Sequence, residues 1–245
     1  MLYAFQEGHP GTELHAGGGL ITLGQYQHLI DLCRRHLLPG WALLDWGCGH
    51  GHFSYVLLKA GYRVHAYSLE DESPFLRRLR TCYPDRFVFV QGRREEPVRL
   101  PFPEETFDAV FSVGVLEHVR ETRGTETESL REIRRILRPG GLFLAYHLPN
   151  RYSLIEMLAR LLGHPRSHRY KFSVNDIADL CRASGFTLRE RRSYGMIPRN
   201  SWAKAPLRIR LSHAAFRIIG GLDEFLESVV PLICQNHLFV AQARP

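Results

Sequence analysis

The sequence predicts an α/β fold, a doubly wound and mostly parallel sheet with helices on both faces, and three observations carry that prediction. Short apolar runs alternate with longer segments whose apolar residues recur every three or four positions, the order expected of strands joined by crossover helices. One run, Leu43-Leu44-Asp45-Trp46, passes straight into Gly47-Cys48-Gly49-His50-Gly51 and then into a helical pattern. A length of 245 residues with 44% hydrophobic content suffices for one well-cored domain, 1–245, with chain left over for an insert or a cap.

Taken in order, residues 22 to 38 read as an opening helix, within a broader N-terminal helical region 20–40, with Pro39-Gly40 as its stop. The glycine-rich first twenty residues are expected to stay mobile until a ligand binds. Residues 41 to 46 form the first strand, 51 to 60 the first crossover helix and 62 to 67 the second strand. Ser73-Pro74 starts a helix, because proline suits a first helical position, and Tyr83-Pro84 ends it. Residues 87 to 90 and 107 to 113 are short apolar runs that fit buried strands. Thr125 and Glu128 have capping-box spacing ahead of Leu130, Ile133, Ile136 and Leu137, one apolar helix face. Pro139-Gly140-Gly141 is read as the stop of that helix, before a strand over 142 to 146.

Beyond that strand the alternation is interrupted. Asn150 is expected to cap a helix carrying Leu154, Ile155, Met157, Leu158, Leu161 and Leu162, part of a helical insert 148–172 laid over the ligand edge of the sheet. Ser173 and Asp176 make a second capping box, and its helix runs to Gly185. Residues 186 to 194 and 236 to 243 read as strands, the second following a helical cap over 200–232.

The turn after the first strand carries the chemistry. Gly47, Gly49 and Gly51 follow a G-x-G-x-G spacing, whereas a dinucleotide fingerprint would need its third glycine at His52. Asp45 is awkward beside a pyrophosphate but suits a ligand that carries an ammonium and a sulfonium. With Phe107 to Val119, Leu137 to Leu144 and Phe172 through Phe186, the loop makes four segments in an order that resembles the class I S-adenosylmethionine-dependent methyltransferases, over residues 41 to 245. The Leu116-Glu117-His118 motif looks like the small-molecule branch. The resemblance implies a Rossmann-like sheet with an antiparallel last strand, and S-adenosylmethionine as cofactor.

Matching residues carries the cofactor positions over. Asp45, Gly47, Cys48 and Gly49 correspond to the methionine end. Ser68 stands where the family has a ribose-binding acid, with Leu69 beside it and Glu70 as an alternative on the same side of an extended chain. Arg93 occupies the place of an adenine-side acid, and Ser112 and Val113 border the transfer site after the fourth strand. These departures at Ser68 and Arg93 keep open a protein that binds the cofactor without turnover. A nicotinamide-dependent reductase shares the fold but is disfavoured by His52 and Ser68.

Methyl transfer from a sulfonium needs in-line alignment, and a base only when the acceptor must lose a proton. His147, at the carboxyl end of a strand, ranks ahead of His118 and His168 as that base. No Asn-Pro-Pro-Tyr or Asp-Pro-Pro-Tyr run is present, so methylation of exocyclic base amines loses weight. The acceptor expected is an oxygen or carbon atom of a quinone precursor, a lipid-linked molecule or a secondary metabolite.

Composition limits partners and compartment. Five cysteines without a C-x-x-C pair suggest neither a disulfide framework nor a metal site, and fit a reducing, cytoplasmic setting. No charged-then-apolar leader opens the sequence, and no apolar run is long enough to span a bilayer. The net charge of +7 invites an RNA methyltransferase as the alternative, but the arginines are interleaved with acids, so a solvated surface is favoured over nucleic acid. Residues 202 to 221 mix Lys204, Arg208, Arg210 and Arg217 with apolar positions, which suits an amphipathic cap, or a face that meets an anionic membrane and a lipid-like acceptor.

Overall fold

A computed structural model describes residues 24–163, 168–197, 205–210 and 212–244. Within it the chain divides into two units, one of Leu38–Arg151, His168–Arg192 and His237–Pro245, the other of Met1–Leu37, Tyr152–Ser167 and Ser193–Asn236. The expected mobile leader lies outside the described residues.

The elements follow in chain order as α1 (Gln27–His36), β1 (Ala42–Trp46), α2 (His52–Lys59), β2 (Arg63–Ser68), α3 (Pro74–Cys82), β3 (Phe87–Gln91), β4 (Phe107–Val113), α4 (Glu126–Ile136), β5 (Leu137–Pro149), α5 (Leu154–Leu161), α6 (Val174–Ala183), β6 (Phe186–Tyr194), α7 (Leu207–Arg210), α8 (His213–Val229) and β7 (Asn236–Ala243). A 3-10 turn, Leu116–Thr122, follows β4. The seven strands form one sheet in the order β3-β2-β1-β4-β5-β7-β6, parallel through its first five positions and antiparallel at its last strand.

In the larger unit β1 lies at the centre, with Asp45 level with Ala66 of β2 and Phe111 of β4. Strands covered on both faces need apolar side chains throughout, which is why Leu43, Leu44, Ala109, Val110, Phe111, Phe143 and Leu144 are all fully buried. Against this background a buried aspartate in β1 stands out. Removing one of these leucines from the core would cost about 2 to 5 kcal/mol.

Helix starts follow the sequence closely in places. Ser73 accepts a hydrogen bond from Leu76 N–H with Pro74 in the first turn, and Ser173 with Asp176 forms a complete capping box. Thr125 makes only half of its box: its hydroxyl accepts from Glu128 N–H and donates to the Glu128 carboxylate, which does not reach back to the Thr125 backbone.

Two expectations fail. Pro139-Gly140-Gly141 does not separate helix from strand, since β5 already begins at Leu137, and the register against β4 shifts between Phe107 and Ala109. The glycines serve a bulge, where β5 advances five residues, Leu137 to Leu142, against two of β4, and Gly140 has φ +75°. Nor does Asn150 cap a helix. Ser153 caps α5, its hydroxyl accepting from Glu156 N–H, and Asn150 bridges to Phe172. Phe172 N–H donates to Pro149 O and Arg151 N–H to Phe172 O, both at 2.9 Å, so the chain before α6 is zipped to the carboxyl end of β5. Buried His237 secures the same point, its Nε2 lying 3.1 Å from Phe172 O.

In the smaller unit a 3-10 turn over Gly24–Tyr26 leads into α1, which ends at His36, two residues before the expected Leu38; the expected start lies outside the described residues. Two buried acids on α8 organise the chain after β6. Asp223 accepts from the N–H groups of Met196 and Ile197, and Glu227 accepts from Gly195 N–H and pairs with His28 Nε2 at 3.1 Å. The apolar stripe of α5 is largely exposed at Met157, Leu158, Leu161 and Leu162. Part of the basic segment 202 to 221 lies outside the described residues. No helix among those described is long and apolar enough to cross a membrane.

Candidate active site

The site grows from the carboxyl ends of β1, β2, β4 and β5, where such sheets place ligands. After Trp46 the backbone must reverse into α2, and it does so through three glycines with positive φ: +71° at Gly47, +51° at Gly49 and +89° at Gly51. The N–H groups of Gly47 and Cys48 both donate to Tyr67 O, which ties the turn to the end of β2. A Cβ on Gly47 would come 2.5 Å from Val115 Cγ2, and one on Gly51 equally close to Leu76 Cδ2. Around Gly49 the space is open. Two glycines therefore serve close packing, and the middle one leaves room beside the backbone.

Asp45 is 2% exposed and its Oδ2 accepts a 2.6 Å hydrogen bond from Ser54 Oγ on α2. Burial pushes its carboxyl up to about 6, opposed by the hydrogen bonds from Ser54. A buried carboxylate held by the Ser54 hydroxyl and backbone N–H, both neutral donors, keeps its charge uncompensated, the environment in which a cationic ligand gains most. Burial also raises the Cys48 thiol far above its ordinary range, with Asp45 adding to the rise, which disfavours the thiolate form.

At the end of β2 the two ribose candidates differ. Ser68 is buried and its hydroxyl oxygen accepts from Glu70 N–H at 3.0 Å, leaving its hydroxyl proton to donate. That bond turns the chain, so Glu70 is not on an extended continuation of β2. Its carboxylate is largely exposed and pairs with Arg94 at 2.7 Å. Leu69 packs against the core, and Arg93 is exposed at the edge of a cavity of about 380 Å³ lined also by Gln91, Gly92, Glu96, Arg99 and Pro101.

Beyond β4, Ser112 is buried and its Oγ accepts from Leu116 N–H at 3.2 Å, fixing the start of the 3-10 turn. Val113, at the end of β4, is half-buried. Gly114 follows with φ +70°, and a Cβ there would lie 3.8 Å from Glu117 Oε1 and 4.0 Å from His147 Cβ. His147 itself has φ +63°, a left-handed conformation that a non-glycine residue adopts at a cost and that marks functional sites. His118 and His168 come together with Glu117: one ligand atom from each lies within 4.8 Å of the others. All three histidines expected from the sequence thus collect at the ends of β4 and β5.

Two contributors were not singled out in the sequence. Ser54 could have been found from its place one helical turn into α2, facing Asp45. Glu117 lies inside the Leu-Glu-His motif, but only the structure shows its carboxyl buried, 4% exposed and pushed up to about 7 chiefly by desolvation.

Residues 44–145 match a family model described as a methyltransferase domain. The chain contains a class I S-adenosylmethionine-dependent methyltransferase domain. The methyltransferase domain is 31% identical over 114 residues to a sterol 24-C-methyltransferase of Gibberella zeae, an alignment covering 44% of this chain and 28% of the relative. It is 33% identical over 144 residues to a ubiquinone biosynthesis O-methyltransferase of Xanthomonas campestris pv. campestris, covering 56% of this chain and 58% of the relative. The chain spans only about a quarter of the length of the first of these and rather more than half of the second. Among solved structures it is similar to a 1,6-didemethyltoxoflavin N1-methyltransferase of Burkholderia thailandensis, at a TM-score of 0.55 and 19% identity, covering 100% of this chain and 85% of that one. That protein was solved with its acceptor and S-adenosylhomocysteine bound.

Proposed function

We propose that this methyltransferase domain moves the methyl group of S-adenosylmethionine to an oxygen or carbon atom of a small molecule. The observation that carries the reading is Asp45, a buried carboxylate at the end of the central strand whose side-chain partner among the described residues is the Ser54 hydroxyl. Its negative charge favours the ammonium and sulfonium of the methyl donor and disfavours a pyrophosphate. Gly47, Cys48 and Gly49 form the wall around the methionine end, Gly49 leaving the room for close approach. Ser68 donates its hydroxyl to a ribose oxygen, and Leu69, Glu70 and Arg93 flank the nucleoside. Ser112 and Val113 border the transferring methyl group.

His147 is the base of this reading. Its imidazole stands at the carboxyl end of β5, beside the Gly114 turn, and takes the acceptor proton as the methyl group moves. The thioether that leaves is neutral, so alignment and deprotonation are the main demands on the protein. A small-molecule acceptor accords with the ubiquinone and sterol relatives. The basic balance of the chain gives RNA less support, because Arg80, Arg94, Arg138, Arg151 and Arg182 each lie within 3.2 Å of a carboxylate and are poorly placed to neutralise phosphates.

The test is incubation with isotopically labelled donor and a panel of phenolic, enolic and lipid-linked acceptors, with product identified by mass spectrometry. Labelled O- or C-methyl product supports the reading, and tight donor binding with no transfer to any of them would favour the non-catalytic alternative.

A further inference from the structure

Three groups outside the cofactor loop converge beyond β4. Glu117 and His118 come from the 3-10 turn Leu116–Thr122, and His168 from the segment zipped to β5 through Phe172. One ligand atom of each lies within 4.8 Å of the other two. Bonds of about 2.1 Å in tetrahedral geometry need donor separations of roughly 3.4 Å, a contraction that side-chain rotation supplies because the His118 side chain is 48% exposed. The Glu117 carboxylate is buried, accepts from its own backbone N–H and faces the two imidazoles, with Glu121 as a further acid nearby. No lysine or arginine is among these electrostatic neighbours. A buried carboxylate needs a positive counterpart to offset its desolvation.

The fourth group is Glu121. Its Oε1 lies 3.1 Å from His118 Nδ1, the carboxylate-to-imidazole contact that orients a metal-bound histidine and leaves Nε2 to face the ion.

We propose that Glu117, His118 and His168 bind one divalent first-row transition ion, with Glu121 as the residue that positions His118. Two imidazoles and one carboxylate suit zinc, iron, cobalt or nickel ions and not magnesium or calcium, which take oxygen ligands. Three protein ligands leave coordination positions open. Resting on the methyltransferase reading, the ion would take the acceptor oxygen there, which narrows the acceptor to a phenol, enol or related ionisable hydroxyl. Held by these residues, an ion would supply Lewis acidity to that oxygen; His147 would take its proton as the O–CH3 bond forms and the S–CH3 bond breaks to the neutral thioether.

The test titrates Co2+ into the chelator-treated full chain, followed by calorimetry and by visible absorption. The site predicts one ion per chain, binding that Mg2+ does not displace, and about 10-fold weaker affinity for Glu121→Gln. His118→Ala and His168→Ala weaken it further, with circular dichroism melting showing both folded. If Glu117→Gln unfolds, the two histidine variants still decide. No Co2+ uptake, or uptake unchanged by His118→Ala and His168→Ala, overturns the site. Co2+ binding without any methyl transfer supports the ion site while sinking the methyltransferase reading, and S-adenosylhomocysteine binding with no Co2+ uptake does the reverse.

Discussion

Asp45 couples cofactor affinity, stability and pH in a way that can be worked out numerically. Its carboxyl is raised from 3.8 to about 6 by burial. In the unliganded protein the folded-state value therefore lies above the unfolded one. The associated stability is fully present below about pH 4 and is lost as pH rises through 6. A shift of about two units amounts to about 3 kcal/mol at neutral pH. Donor binding should reverse that cost, because the ammonium and sulfonium favour the ionised form. With an unliganded value of about 6, roughly nine-tenths of the chains are ionised at about pH 7 and one-tenth at about pH 5, so the dissociation constant for S-adenosylmethionine rises about 10-fold over that interval. Asp45→Asn makes the contrast. The amide oxygen still accepts from Ser54, and removing the buried charge offsets more than the cost of burying the NH2, about 1 to 3 kcal/mol. The unliganded variant is thus more stable than wild type near neutral pH by about 1 kcal/mol, binds the donor weakly, and shows no pH slope. Calorimetric titration from pH 5 to 8 with urea denaturation of both proteins reads all of this. A wild-type dissociation constant that is flat across the range, or a variant with the same slope, would show that ionisation of Asp45 does not govern donor binding.

Further outcomes follow from the same geometry. Gly47→Ala and Gly51→Ala combine positive φ with contacts at 2.5 Å and should each cost about 2 to 3 kcal/mol, while Gly49→Ala, in open space, costs about 1, as measured by urea unfolding. His147→Asn keeps a residue that tolerates the left-handed backbone and should lower kcat by about 10²- to 10⁴-fold with donor affinity unchanged; an unaltered kcat would remove it as the base. Asp223→Ala leaves the N–H groups of Met196 and Ile197 without their acceptor and should destabilise by about 2 to 4 kcal/mol, with earlier proteolytic cleavage near 195–197. Equal cleavage rates in wild type and variant would contradict that role.

Much of the frame was legible because the rules involved are local. Phe107–Val113, Phe186–Tyr194 and Asn236–Ala243 are strands where the sequence reads them, and Ser73 and Ser173 start helices through hydroxyls that need only their own next three residues. The misreadings arise where one local pattern serves two structures. Pro139-Gly140-Gly141 looks the same as a helix stop and as a bulge, and only pairing with β4 decides. Asn150 and Ser153 are both good caps, and pairing with Phe172, distant in sequence, withdraws Asn150. The site follows the same division. Asp45 and the glycines are legible because a strand-to-helix turn has few solutions. The cluster of Glu117, His118 and His168 is not, since fifty residues separate its parts and the β5 zipper that joins them has no signature. Glu70 does not continue β2 as alternation would place it, because the Ser68 hydroxyl bends the chain there.

The most direct measurement is a crystal structure of the chain with S-adenosylmethionine. The donor should lie folded over the Gly47–Gly51 turn, with its ammonium or sulfonium within about 4 Å of an Asp45 carboxylate oxygen and its methyl group directed toward His147. A donor bound elsewhere on the sheet, or no donor at saturating concentration, would contradict it.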